Sequence, residues 1–133
     1  MEFKKYQQEA ARTDAPLDDN YDKLHAVHMV MGMSTEVGEL VDVFKKNLAY
    51  KKPVDWVNVK EEIGDLMWYV ANFCTKNNID LEQIMQTNID KLKARYPEKF
   101  TSDKAQNRDL DKERIILEKI PSQIVVGEGK LGL

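Results

Sequence analysis

One cysteine, Cys74, stands in a chain of 133 residues, which rules out an internal disulfide and fits a reducing compartment. It falls in an apolar helical stretch, where a buried, inert thiol is expected. The amino terminus from Met1 to Tyr6 is polar and lacks the apolar core of a signal peptide, and no run approaches the ~20 apolar residues of a membrane span. A cytoplasmic protein without a membrane partner is therefore expected. There is no basic excess either. The 20 Lys and Arg are interspersed among 23 Asp and Glu for a net charge of −3, which argues against nucleic acid as a partner. Gly127, Gly129 and Gly132 lack the G-x-x-x-x-G-K-[ST] spacing, so they form no phosphate loop. Glu-x-x-His is absent throughout, which removes the four-helix di-iron site. His25 and His28, although spaced i, i+3, are accordingly read as helix-packing or pocket-rim residues. Strand-type alternation is missing between Met1 and Phe100.

What is present is helical. The length suits one domain with a real core. Helices are expected over about Phe3–Arg12 and Tyr21–Ala49, separated by a loop containing Pro16. A third follows the break at Lys51–Pro53, with Asp55 as its N-cap, and runs to about Thr75 before Asn77 and Asn78. A fourth, capped by Asp80, carries Leu81, Ile84, Met85, Ile89 and Leu92 and stops at Pro97. Beyond it, Asp109–Lys119 reads as a short helix. Pro121 then breaks the pattern, Gln123–Val126 reads as a small strand or extended arm, and the terminal glycines suggest a loose end.

Two acidic pairs dominate the pattern: Glu36 with Glu39, and Glu62 with Asp65, with 22 residues between the pairs. Residues three apart share a helix face, so each helix projects two carboxylates in one direction, and antiparallel helices would bring all four together. Such a cluster suits Mg²⁺, a hard cation that takes oxygen ligands and shares its remaining positions with water and substrate phosphates. Two solvated helix faces are the plainer alternative. Val59, Ile63, Leu66, Met67, Val70 and Phe73 mark the expected buried stripe of the third helix, with Glu62, Asp65 and Tyr69 in the row beside it. Val37, Leu40, Val41 and Phe44 mark that of the second. Gly38 and Gly64 each cost about 1 kcal/mol relative to alanine inside a helix. Close helix approach, or room for metal and phosphates, would explain them.

Asn88, Lys91 and Arg95 form a polar row on the fourth helix that can meet a polyanion, with Arg95 able to grip two phosphate oxygens. Lys45 and Lys46 read first as partners of the dipole at the end of the second helix. Trp56, close to a loop, is the better of the two tryptophans for stacking on a base, although core packing is the commoner use of such a residue.

The segment Ser34-Thr35-Glu36-Val37-Gly38-Glu39-Leu40, followed by Glu61-Glu62-Ile63-Gly64-Asp65-Leu66, resembles the E-x-x-E then E-x-x-D signature of MazG-like nucleotide pyrophosphohydrolases, in the all-α NTP pyrophosphatase superfamily. Asn88, Lys91, Arg95, Tyr96 and Pro97 look like that family's fourth-helix region, and the short form is similar to MazG-like proteins of bacteriophages. The resemblance implies an all-α four-helix bundle that assembles as a homodimer or homotetramer. It implies Mg²⁺, with Mn²⁺ as a substitute, held by Glu36, Glu39, Glu62 and Asp65. It also implies conversion of nucleoside triphosphates to monophosphates and pyrophosphate, with Glu36 or Glu39 orienting or deprotonating the attacking water. Lys91 and Arg95 become phosphate contacts, and Asn88 and Tyr69 line the nucleotide site. Residues 1–100 are read as the catalytic domain, and residues 101–133 as an extension with a short helix and flexible tail. Two alternatives stand beside this reading: an enzyme specialised for dUTP, dCTP or a modified nucleotide, and a non-catalytic helical dimer that binds a nucleotide or a partner protein.

Overall fold

Aspartates cap the starts of three helices. In the computed structural model, which describes residues 1–15 and 19–119, the Asp55 side chain accepts from the Val57 and Asn58 amides at 3.0 and 3.2 Å. Asp80 accepts from Gln83 at 3.1 Å, and Asp109 from Lys112 at 3.0 Å. Each bond satisfies an amide that has no partner inside its own helix. The helices are α1 (Phe3–Ala11), α2 (Asp19–Tyr50), α3 (Trp56–Lys76), α4 (Leu81–Arg95), α5 (Ser102–Gln106) and α6 (Leu110–Glu118). No strand occurs among the described residues. The fold is all-helical, as the resemblance implies. The Pro16 loop, the break at Pro121, the extended arm at Gln123–Val126 and the glycine-bearing end lie outside the described residues.

α2 and α3 pack along each other, and their contacts run in opposite senses: Gly32 meets Tyr69, Glu36 meets Glu62, and Phe44 meets Trp56. The pair is therefore antiparallel. α1 lies on α3, α4 on α1, and α6 on α4. Gln7 ties α1 to the α3–α4 turn twice, donating to the Ile79 carbonyl at 3.0 Å and accepting from the Leu81 amide at 3.1 Å. Trp68 donates to the Thr13 hydroxyl at 2.7 Å, and buried His25 pairs through Nε2 with Asp14 at 2.5 Å, so the end of α1 is fixed to both long helices. Cys74 is buried and free, with its thiol pushed up by burial. Asn78 takes a left-handed backbone, φ 54°, in the α3–α4 turn, a conformation asparagine tolerates better than most residues.

Gly32 has its own packing role. α2 runs through it unbroken, and a Cβ there would stand 2.1 Å from Cε1 of Tyr69. Its missing side chain lets the Tyr69 ring lie against the α2 backbone. Gly38 and Gly64 differ, because a Cβ at either meets no atom within 4 Å. Helix approach among the described residues does not require them.

The buried faces depart from the expected stripes. On α3, Glu62 is buried at 5% exposure while Ile63 is 47% exposed, because Ile63 borders an open cleft of about 370 Å³ with Met1, Phe3, Tyr6, Lys60 and Met67. Leu66, Met67, Val70 and Phe73 are half-buried. On α2 the buried residues include His25, Met29 and Val43, whereas Val37, Val41, Phe44 and Leu48 are exposed. These four follow helical spacing, with Phe44 touching only the exposed Trp56 ring edge-on, and leave an apolar stripe that the described residues do not cover.

Candidate functional site

The antiparallel pairing brings α2 and α3 carboxylates together. One oxygen from each of Glu36, Glu62 and Asp65 lies within 4.8 Å of the others. Glu62 is buried, Glu36 half-buried and Asp65 exposed, so the cluster reaches from the helix–helix seam to the surface. Burial raises the Glu36 pKa first, followed by the charge of Glu39, a hydrogen bond shared with Glu62, and the charges of Asp65 and Glu62. Gathered carboxylates disfavour one another's ionised form in this way, and a cation between them relieves it. Three oxygen donors without nitrogen or sulfur fit a hard divalent ion.

A groove of about 500 Å³ adjoins the cluster along the α2–α3 seam, lined by Thr35, Gly38, Glu39, Asp42, Lys46, Asn58 and Glu62. Glu39 thus stands outside the set of three but faces the adjoining space. Residues 26–100, which contain both acidic pairs and the groove, match the MazG nucleotide pyrophosphohydrolase domain. The chain belongs to that family. It is also similar to the Gene 37 protein of Mycobacterium phage L5, at 31% identity over 85 residues that cover 61% of this chain and 75% of the phage protein. No solved structure matches.

The remaining expected residues of this MazG-type chain are scattered. Tyr69 is half-buried against Gly32, edge-on to His28 at 6.2 Å and to Trp68 at 5.0 Å. Trp56 is 60% exposed at the start of α3, edge-on to Phe44 at 6.2 Å. Asn88 is exposed and Lys91 half-buried on α4, which packs on α1 and α6 rather than along the acid-bearing pair. Arg95 makes two bonds of 2.7 Å to Glu113 of α6, and Arg108 joins the same carboxylate at 2.5 Å. These two guanidiniums hold the Glu113 pKa down at about 2. Within the chain, the guanidinium expected on phosphate is engaged by Glu113 of α6.

Lys45 and Lys46 do not serve the helix end. α2 continues to Tyr50, and both lysines pair with Asp42, at 2.8 and 2.6 Å. They hold the Asp42 pKa down at about 2. The ion pair sets a cation and an anion together on the wall of the groove.

Two neighbours of the acids escaped the sequence reading. Asn58 donates its amide to Glu62. An i, i+4 amide–carboxylate pair on one helix is the signal that marks it. Tyr6 approaches the Gly64 carbonyl at 3.5 Å, and its hydroxyl pKa is raised by burial and then by the charge of Asp65. It comes from 58 residues away, so no local spacing announces it. No helix among the described residues is long and apolar enough to cross a membrane.

Proposed function

We propose that the protein is a Mg²⁺-dependent nucleoside triphosphate pyrophosphohydrolase, releasing a nucleoside monophosphate and pyrophosphate, with Mn²⁺ as an alternative ion. The observation that carries this reading is the convergence of Glu36, Glu62 and Asp65 within 4.8 Å inside the family-matched segment. When bound, the divalent ion supplies charge neutralisation of the triphosphate and Lewis acidity toward the attacking water. Glu36, Glu62 and Asp65 hold it. Glu39, facing the groove from one turn beyond Glu36, is placed to orient the water and take its proton as the water oxygen attacks the α-phosphorus. The bond to the α–β bridging oxygen breaks, and that oxygen leaves with pyrophosphate. The groove beside Gly38 gives the polyphosphate room next to the α2 backbone.

Asn88 and Lys91 are the α4 candidates for phosphate contact, Tyr69 and Trp56 those for the nucleoside. Arg95 enters that role only by leaving Glu113. Residues 1–100 act as the catalytic domain and residues 101–133 as an extension docked on α4. The exposed stripe of Val37, Val41, Phe44 and Leu48 is buried against a second copy in a homodimer or homotetramer. A nucleotide pool and a reduced Cys74 fit a cytoplasmic enzyme.

The test is a panel of standard and modified nucleoside triphosphates with Mg²⁺, read by product identification. Monophosphate and pyrophosphate should appear in equal amounts. Orthophosphate with a diphosphate product overturns the assignment, and no turnover of any triphosphate favours a binding scaffold.

A further inference from the structure

Glu62 poses a physical problem. Its carboxylate is buried beside Glu36 and Asp65, where mutual repulsion opposes holding it at the point at which a cation would sit. A lysine partner would hold it but would also neutralise it and compete with the ion. What the fold supplies is Asn58, one turn earlier on α3, half-buried and on the wall of the same groove, whose side-chain Nδ2 donates to Glu62 Oε1. An ionised carboxylate only accepts, so the NH₂ edge of the amide must face it. The donor is neutral, so it fixes one oxygen without weakening the charge that attracts the cation. Asn58 is itself anchored. Its backbone amide donates to the Asp55 cap at 3.2 Å, and the Val57 amide does so at 3.0 Å, which fixes the first turn of α3.

We propose that Asn58 is a positioning residue, whose amide holds the Glu62 carboxylate in the orientation that meets the divalent ion. The proposal rests on the metal-dependent reading above. Partners that orient a metal ligand typically matter by 10–100-fold in metal affinity or activity.

The experiment titrates Mn²⁺ alone into nucleotide-free protein by calorimetry, for the parent, Asn58→Leu, Asn58→Ala and Glu62→Gln, beside steady-state kinetics over a range of Mg²⁺. Asn58→Leu keeps the bulk and removes the donor; Asn58→Ala, a better helix former, repeats the test if leucine disturbs packing. Both should bind Mn²⁺ about 10-fold or more weakly than the parent. The Mg²⁺ concentration for half-maximal turnover should rise in parallel, while KM for the nucleotide at saturating Mg²⁺ stays near the parent's. A merely structural role would not produce that split. Parent-like Mn²⁺ affinity in a folded Asn58 variant, with Glu62→Gln impaired, overturns the Asn58 proposal alone. Equal Mn²⁺ binding by the parent and Glu62→Gln overturns the metal-site reading itself.

Discussion

Alanine placed at the glycines of the two long helices should move stability in opposite directions. None of Gly32, Gly38 and Gly64 needs positive φ, so alanine fits each backbone, and the helical gain is about 1 kcal/mol apiece. At Gly38 and Gly64 nothing lies within 4 Å of the new Cβ, so that gain stands alone. For a chain of this size it raises Tm by roughly 3–5 °C. At Gly32 the Cβ falls 2.1, 2.3 and 2.4 Å from three ring carbons of Tyr69, well inside van der Waals contact. The ring must retreat by about 1 Å while Trp68 and His28 pack edge-on against it. Overpacking of that kind costs about 1–3 kcal/mol, which outweighs the helical gain, so Tm should fall by several degrees. Thermal melts in EDTA measure all three variants without a contribution from bound metal. Adding Tyr69→Ala removes the obstruction, and in that background Gly32→Ala should stabilise. Gly32→Ala more stable than the parent, or equally destabilising with and without the Tyr69 ring, refutes the close-approach argument.

Glu62→Gln should abolish most hydrolysis, shrink the Mg²⁺-induced rise in Tm, and leave metal-free stability equal to or above the parent's; melts in EDTA and in Mg²⁺ beside a pyrophosphate-release assay read all three outcomes. Glu113 has a folded pKa of about 2 against an ordinary 4.5, so its contribution is fully present above about pH 4.5 and is lost as pH falls toward 2. Glu113→Gln should therefore lower stability at neutral pH and flatten the acid limb over that interval, with faster amide exchange confined to α6. Light scattering should find a dimer or tetramer at micromolar concentration, and Val41→Glu, in the middle of the exposed α2 stripe, should shift it toward monomer with little change in helical circular dichroism.

Caps and periods made the helices legible: Asp55, Asp80 and Asp109 bond as their positions suggest, and the boundaries of α1–α4 and α6 fall within about two residues of those read from the chain. α5 was invisible because five residues behind the Thr101 cap are too short for a periodic pattern. The i, i+3 acids were legible because spacing alone fixes their helix faces. Which face is buried was not, since an apolar stripe shows what can be covered and not what covers it. Hence Ile63 is open beside buried Glu62, and Val37, Val41 and Phe44 are exposed. The Arg95–Glu113 pair joins residues 18 apart on different helices, and Gly32 serves a ring on another helix. Both are settled by tertiary geometry, which leaves no local mark.

The five-residue connection from Lys51 to Asp55 makes the acid cluster part of a nearly local unit. Contacts across such a hairpin close short loops and form early in folding, before distant pairings such as Tyr6 with Gly64 are worth their loop entropy. If the hairpin closes first, the carboxylates meet while the rest of the chain is still unfolded, and their mutual repulsion falls on the folding barrier as well as on the native state. Screening this charge should speed refolding and leave unfolding comparatively unchanged. Stopped-flow refolding in rising NaCl with EDTA reads the effect directly, and a refolding rate indifferent to salt would place closure of the α2–α3 seam after the rate-limiting step.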